Sequence, residues 1–189
     1  MAAAPAPITR LFDGIATPAA GRHTLDRPHT FAFFSVPHLV VGRMRGRFHT
    51  LNGTITIADD PRASTVGVQI ETASVSTQNE TRDEDLRSSR FLDVAAFPRM
   101  TYRGGGWTAA GEPTLRDVTR PVALEGGFIG AILDPSERAR LAFQASAAFS
   151  RKEFGLTAEL ERESGGFLLG RDISVEIHAE AIRSDEERP

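Results

Sequence analysis

The sequence predicts an all-β fold, an antiparallel sandwich or barrel, and three features carry that prediction. Apolar and polar residues alternate over several long blocks, the pattern of strands with one face buried. Turn-forming clusters separate the blocks: Asn52-Gly53, Asp59-Asp60-Pro61, Gly104-Gly105-Gly106, Asp134-Pro135 and Gly165-Gly166. The length of 189 residues suits one domain, large enough to bury a hydrophobic core without disulfide or metal staples.

Residues 1–24 are rich in Ala, Pro and Gly and show no period, so the expectation is a mobile tail, with Ile8, Leu11 and Phe12 as its apolar residues. The domain proper is expected over 25–183. Its first strand has Thr30, Ala32, Phe34, Val36 and His38 on one parity, with Phe31, Phe33 and Ser35 on the other. Val66, Val68 and Ile70 alternate with Gly67, Gln69 and Glu71. The segment 76–91 breaks the pattern with dense charge. Thr81 is expected to cap a short helix there, with Asp83, Glu84 and Asp85 in its first turn, where negative charge suits the helix dipole. Alternation resumes with Leu141, Phe143, Ala145, Ala147 and Phe149, and again with Ile173, Val175, Ile177, Ala179 and Ala181. Residues 184–189 are polar and expected to fray.

Composition removes several function classes. The chain has no cysteine, which excludes disulfides, thiolate metal sites and cysteine nucleophiles. The net charge of −3 argues against a nucleic-acid partner. No apolar run is long enough for a membrane-spanning helix. Pro5, Pro7 and Arg10 interrupt any stretch resembling a secretory signal, so a cytoplasmic location is expected. His23, His29, His38, His49 and His178 form no paired-ligand motif, and no metal is expected. Neither a nucleophile elbow nor a phosphate-binding glycine loop is present. The run Arg82-Asp83-Glu84-Asp85-Leu86-Arg87 reads either as a polar site capable of acid–base work or as a solvated helix laced with local ion pairs.

The apolar stripes mix small and large residues: Ala32 beside Phe34, and Ala145 and Ala147 between Phe143 and Phe149. In a sandwich that is core packing. In a barrel of about eight strands it leaves room for one small apolar ligand. Periodicity leaves both open.

The order of motifs resembles the YceI-like family of lipocalin-like, polyisoprenoid-binding proteins. Asp26, His29, Thr30, Phe34, Val36 and His38 follow the family's opening strand pattern. Val41, Gly46 and Phe48 follow its next turn, and Ser74, Thr77, Arg82, Asp83, Leu86, Phe91, Phe97, Pro98 and Tyr102 follow in order. Leu115, Val118, Arg120, Pro121, Val122 and Leu124 match a further motif, as do Arg151, Phe154, Gly155 and Leu156. The resemblance spans about residues 25–182. Asp85 stands where the family often has histidine, and Ser150 and Glu153 replace Asn and Asp. Pro113, Arg116 and Asp117 replace Leu, His and Gly. Pro113 lacks a backbone donor, so its strand is expected to start late or lie at an edge.

The resemblance implies an extended antiparallel lipocalin-like barrel of about eight strands with one or two short helices. It implies a lumen holding a long-chain isoprenoid lipid of quinone or polyprenyl type, in a carrier or sequestering protein that needs no catalytic residue and no cofactor. Residues expected at this site are Ala32, Phe34, Val36, His38, Val68, Ile70, Met100, Tyr102, Phe143, Ala145 and Phe149 along the lumen, with Arg82, Asp83 and Asp85 at its mouth. The alternative is an enzyme acting on such a lipid through the Arg82, Asp83 and Asp85 cluster. The family also implies a homodimer. Phe31 and Phe33 offer apolar surface for it, or lie under the N-terminal tail.

Overall fold

The computed structural model describes residues 7–38, 41–106, 110–158 and 169–184. The strands among them are, in chain order, β1 (Thr9–Phe12), β2 (Ile15–Pro18), β3 (Gly21–Leu25), β4 (Phe31–His38), β5 (Gly42–Phe48), β6 (Leu51–Ile57), β7 (Thr65–Glu71), β8 (Val75–Ser76), β9 (Arg99–Gly105), β10 (Ala110–Leu115), β11 (Val118–Thr119), β12 (Val122–Ala123), β13 (Glu125–Leu133), β14 (Ala139–Ser150) and β15 (Asp172–Arg183). One α-helix, α1 (Glu80–Arg87), falls between β8 and β9.

β1 and β2 form a separate hairpin. The other thirteen strands share one antiparallel sheet in the order β11-β10-β9-β7-β6-β3-β15-β4-β5-β8, with β12 beside β10 and β13 beside β14. β15 is the branch point. β14 runs along one of its edges, while β4 takes Ser174–His178 and β3 takes Ala181–Arg183 on the other. The β12–β13 segment changes partner: Val122 and Ala123 pair with β10, and from Glu125 onward the chain pairs with β14.

The mostly-β, antiparallel fold is as the sequence predicts, but the barrel of about eight strands needs correction. Thirteen strands share the sheet, and its hydrogen-bond ladder does not close on itself among the described residues. Two-residue strands such as β8, β11 and β12 are too short to show a period, so alternation undercounts them. The strand path ends at β8, and side chains pack beyond it. Leu92 packs with Val75 of β8 and Met100 of β9, and Leu86 of α1 lies against the same cluster.

Other expectations shift in detail. The stretch read as a tail contains β1, β2 and all of β3 but its last residue, Leu25, and β3 belongs to the main sheet, pairing with β6 and β15. Asn52-Gly53 is not a turn but part of β6, where a Cβ at Gly53 would lie 2.6 Å from the Gly67 carbonyl oxygen. The helix cap is Asn79 rather than Thr81. Asn79 Oδ1 accepts the Arg82 N–H at 3.0 Å, and Thr81 lies inside the first turn. Pro113 sits within β10, one strand in from the edge, facing the gap between β12 and β11, where no ladder donor is required of it. The Gly165-Gly166 turn and the C-terminal residues 185–189 lie outside the described residues.

Candidate functional site: an apolar cavity inside the sheet

The curved sheet encloses a cavity of about 670 Å³. That is within the usual range for a small-molecule site. Register explains why distant parts of the chain meet there. Directly paired residues in an antiparallel ladder point to the same face. Gly126, Ala145, Ile177, Ala32, Phe48 and Val75 form one continuous row across β13, β14, β15, β4, β5 and β8, and all six line the cavity. On the other wing Val68 pairs with Tyr102, and Ile70 with Met100, and these four line it too.

Ten of the predicted lumen residues therefore reach the wall: Ala32, Phe34, Val36, Val68, Ile70, Met100, Tyr102, Phe143, Ala145 and Phe149. Their burial is uneven. Ala32, Val36 and Met100 are buried, and the other seven are half-buried. Burial raises the Tyr102 phenol above its ordinary 10.0. Phe34 lies across Gly46, where a Cβ would come within 2.4 Å of the ring, so glycine at that position lets the phenyl lie flat over the neighbouring strand.

The remaining four predicted residues do not line the cavity. His38 ends β4 and is bridged to Leu169. Asp83 is buried. Its Oδ1 accepts the Thr77 N–H at 2.7 Å and the Thr77 hydroxyl at 2.6 Å. Burial opposes its charge, but these hydrogen bonds outweigh that and hold the carboxyl below 3.8. Arg82 donates to the Thr77 hydroxyl oxygen at 2.7 Å and to the Thr77 carbonyl at 2.9 Å. Asp85 faces the exposed Arg90 at 3.3 Å. The cluster thus fastens α1 to the residues entering it, and from this helix it is Leu86 that reaches the cavity.

Several wall residues escaped the sequence reading. Phe91 and Leu92 come from the loop after α1, and Ile15, Ala16 and Pro18 from the β1–β2 hairpin. The Phe91-Leu92 doublet beside a charged helix was a usable signal; the hairpin offered none. Arg151 is a buried cation in the wall, and its guanidinium donates to the carbonyls of Gly170 at 2.9 Å and Ala158 at 2.8 Å.

One group of metal-ligand types clusters among the described residues: Asp26, His29 and Glu180. Arg140 already bridges it, pairing with Asp26 and, at 2.7 Å, with Glu180, while His29 Nδ1 lies 2.8 Å from Asp26. It works as an ion-pair network joining the start of the domain to β14 and β15. No helix among the described residues is long and apolar enough to cross a membrane.

A family model, the YceI-like domain, matches residues 23–181. A UPF0312 protein of Yersinia pestis is 36% identical over 140 residues, covering 70% of this chain and 73% of its own. Another, from Yersinia enterocolitica, is 31% identical over 175 residues, with 87% and 88% covered. Among solved structures, Burkholderia cenocepacia BcnA superposes with a TM-score of 0.69 at 11% identity, covering 82% of this chain and 98% of BcnA. A polyisoprenoid binding domain from Saccharophagus degradans gives 0.67 at 13% identity, covering 87% and 99%. At such identities the structures speak to fold alone. Because the family model spans nearly all of the sheet that builds the cavity, and the Yersinia proteins match the chain at about a third of the aligned positions, the chain belongs to the YceI-like domain family.

Proposed function

We propose that this protein holds a long-chain isoprenoid lipid, of quinone or polyprenyl type, in the cavity and acts as its carrier or sequestering protein. The observation that carries this is the apolar character of a 670 Å³ cavity walled by rows of side chains from both wings of the sheet. Each buried CH₂ contributes about 0.8 kcal/mol, so an apolar tail is held with few polar contacts. The likeness in fold to the Saccharophagus polyisoprenoid binding domain supports the choice of an isoprenoid chain. The lipid is the only small molecule required, without a further cofactor, and the protein works in the cytoplasm as a carrier rather than an enzyme. A homodimer through the apolar surface of Phe31 and Phe33 belongs to the same proposal.

Native mass spectrometry of freshly purified protein tests this. An added mass of several hundred daltons that disappears on solvent extraction and identifies as an isoprenoid is the expected result. A bare protein from every expression host, with no uptake of added ubiquinone, contradicts it. Turnover of the extracted lipid that Asp83→Asn abolishes without unfolding the protein would instead establish an enzyme.

A further inference from the structure

Among the described residues, five of the seven exposed large apolar side chains lie on two neighbouring elements: Leu11 (76% exposed) and Ile15 on the β1–β2 hairpin, and Ile129 (66%), Ile132 (62%) and Leu133 on β13. β2 lies against β13 but does not join its ladder. The ladder of the main sheet also ends here, at β13. The chain leaves β10 after Ala123 of β12, the far edge of β13 has no strand partner among the described residues, and the adjoining wall residues Gly126 and Gly127 have no side chain. Ile15 and Ala16 are exposed and line the cavity as well. Through Ile15 and Ala16 the exposed apolar residues of the hairpin meet the apolar interior.

We propose that the β1–β2 hairpin and β13 form a docking lip for a lipid surface, through which the cavity exchanges its ligand with a bilayer. This rests on the reading of the cavity as a lipid site. A long apolar chain entering from water would expose each CH₂ on the way, and a lip inserted at the headgroup boundary removes that exposure. The charges beside the lip select the kind of surface. Arg62 pairs with Asp13 at 2.9 Å, and Arg10 faces Asp59 at 3.8 Å, with Asp60 adding a further carboxylate beside Arg62. With its cations already matched by carboxylates, the lip docks by apolar insertion, not by attraction to anionic headgroups. A second copy of the chain is a poorer occupant. The β13 edge carries a bulge at Phe128–Gly130 and a left-handed Gly126 (φ 132°), features that disfavour edge-to-edge pairing.

The test uses the full chain and phosphatidylcholine vesicles. Wild type is expected to float with the vesicles, with little change on adding salt. It is also expected to take up dansylated geranylgeraniol from them. The variant Leu11→Asp/Ile129→Asp/Ile132→Asp changes exposed residues that do not line the cavity. It is expected to lose flotation by roughly tenfold or more and to take up the vesicle-borne probe correspondingly slowly. It should still bind the probe offered from ethanol solution with wild-type affinity. Leu11→Asp alone serves if the triple variant unfolds. Failure of wild type to float, equal flotation of the variants, or a wild-type dimer that the variants dissociate would each overturn the docking lip. Failure of wild type to bind the probe from solution would instead remove the lipid reading beneath it. Flotation of the protein without ligand is read independently of that result.

Discussion

Asp134 carries a clear pH dependence on one side chain. It is buried in the β13–β14 turn, accepting the N–H groups of Ser136 at 2.9 Å and Arg138 at 3.0 Å, with the Arg138 guanidinium on its other oxygen at 2.9 Å. The backbone hydrogen bond from Arg138 leads in lowering its carboxyl from 3.8 to about 2. A carboxyl depressed on folding stabilises the protein above its unfolded value, and that stability is lost as pH falls toward the folded value. Between about pH 4 and about pH 2 the melting temperature of wild type should fall more steeply than that of Asp134→Asn. Parallel acid curves would show that Asp134 contributes nothing to acid stability. Asp83 gives a second residue-scale expectation. With both Thr77 donors on one buried oxygen, Asp83→Asn should cost roughly 1–3 kcal/mol in urea unfolding and leave lipid content unchanged. The sequence displayed these carboxylates but not their partners. A charged run looks alike whether its acids meet solvent, as Glu84 does, or a buried threonine, as Asp83 does.

At the scale of elements, long strands were legible and short or local structures were not. β4, β14 and β15 announce themselves by alternation because one face of each is sealed against the cavity and the other is open. β1 and β2 have four residues each, joined through a left-handed Asp13-Gly14 turn, too short for a period to emerge. The helix was placed within a few residues, but its cap was missed because Asn79 and Thr81 both suit capping and only geometry separates them. That difference is measurable. Asn79→Ala should lower stability by about 1 kcal/mol, whereas Thr81→Ala, an exposed position in the first turn, should stay within about 0.5 kcal/mol of wild type. The reverse order would return the cap to Thr81.

At the scale of the whole molecule, parity predicted which side chains face inward but not what encloses them. The row from Gly126 through Ala145, Ile177 and Ala32 to Phe48 depends on strand order and register, and both are set by long-range pairing. The same holds for Leu92, packed between Val75 of β8 and Met100 of β9, and for the β1–β2 hairpin against β13, since neither belongs to an alternating block. Small residues within the stripes were the one sequence feature hinting at space, and Ala32 and Ala145 flank Ile177 in that row, one strand away on either side.

The most direct test of an open lipid cavity is therefore the variant Ala145→Trp, read for both urea unfolding and copurified lipid. Ala145 is half-buried and faces the cavity. An indole there should occupy the space of the lipid tail, leaving stability within about 1 kcal/mol of wild type while the bound lipid is lost. If the interior is filled by its own side chains, the added ring overpacks it and destabilises the fold by typically about 1–3 kcal/mol. That destabilisation, together with a wild-type protein that carries no lipid, would contradict the account.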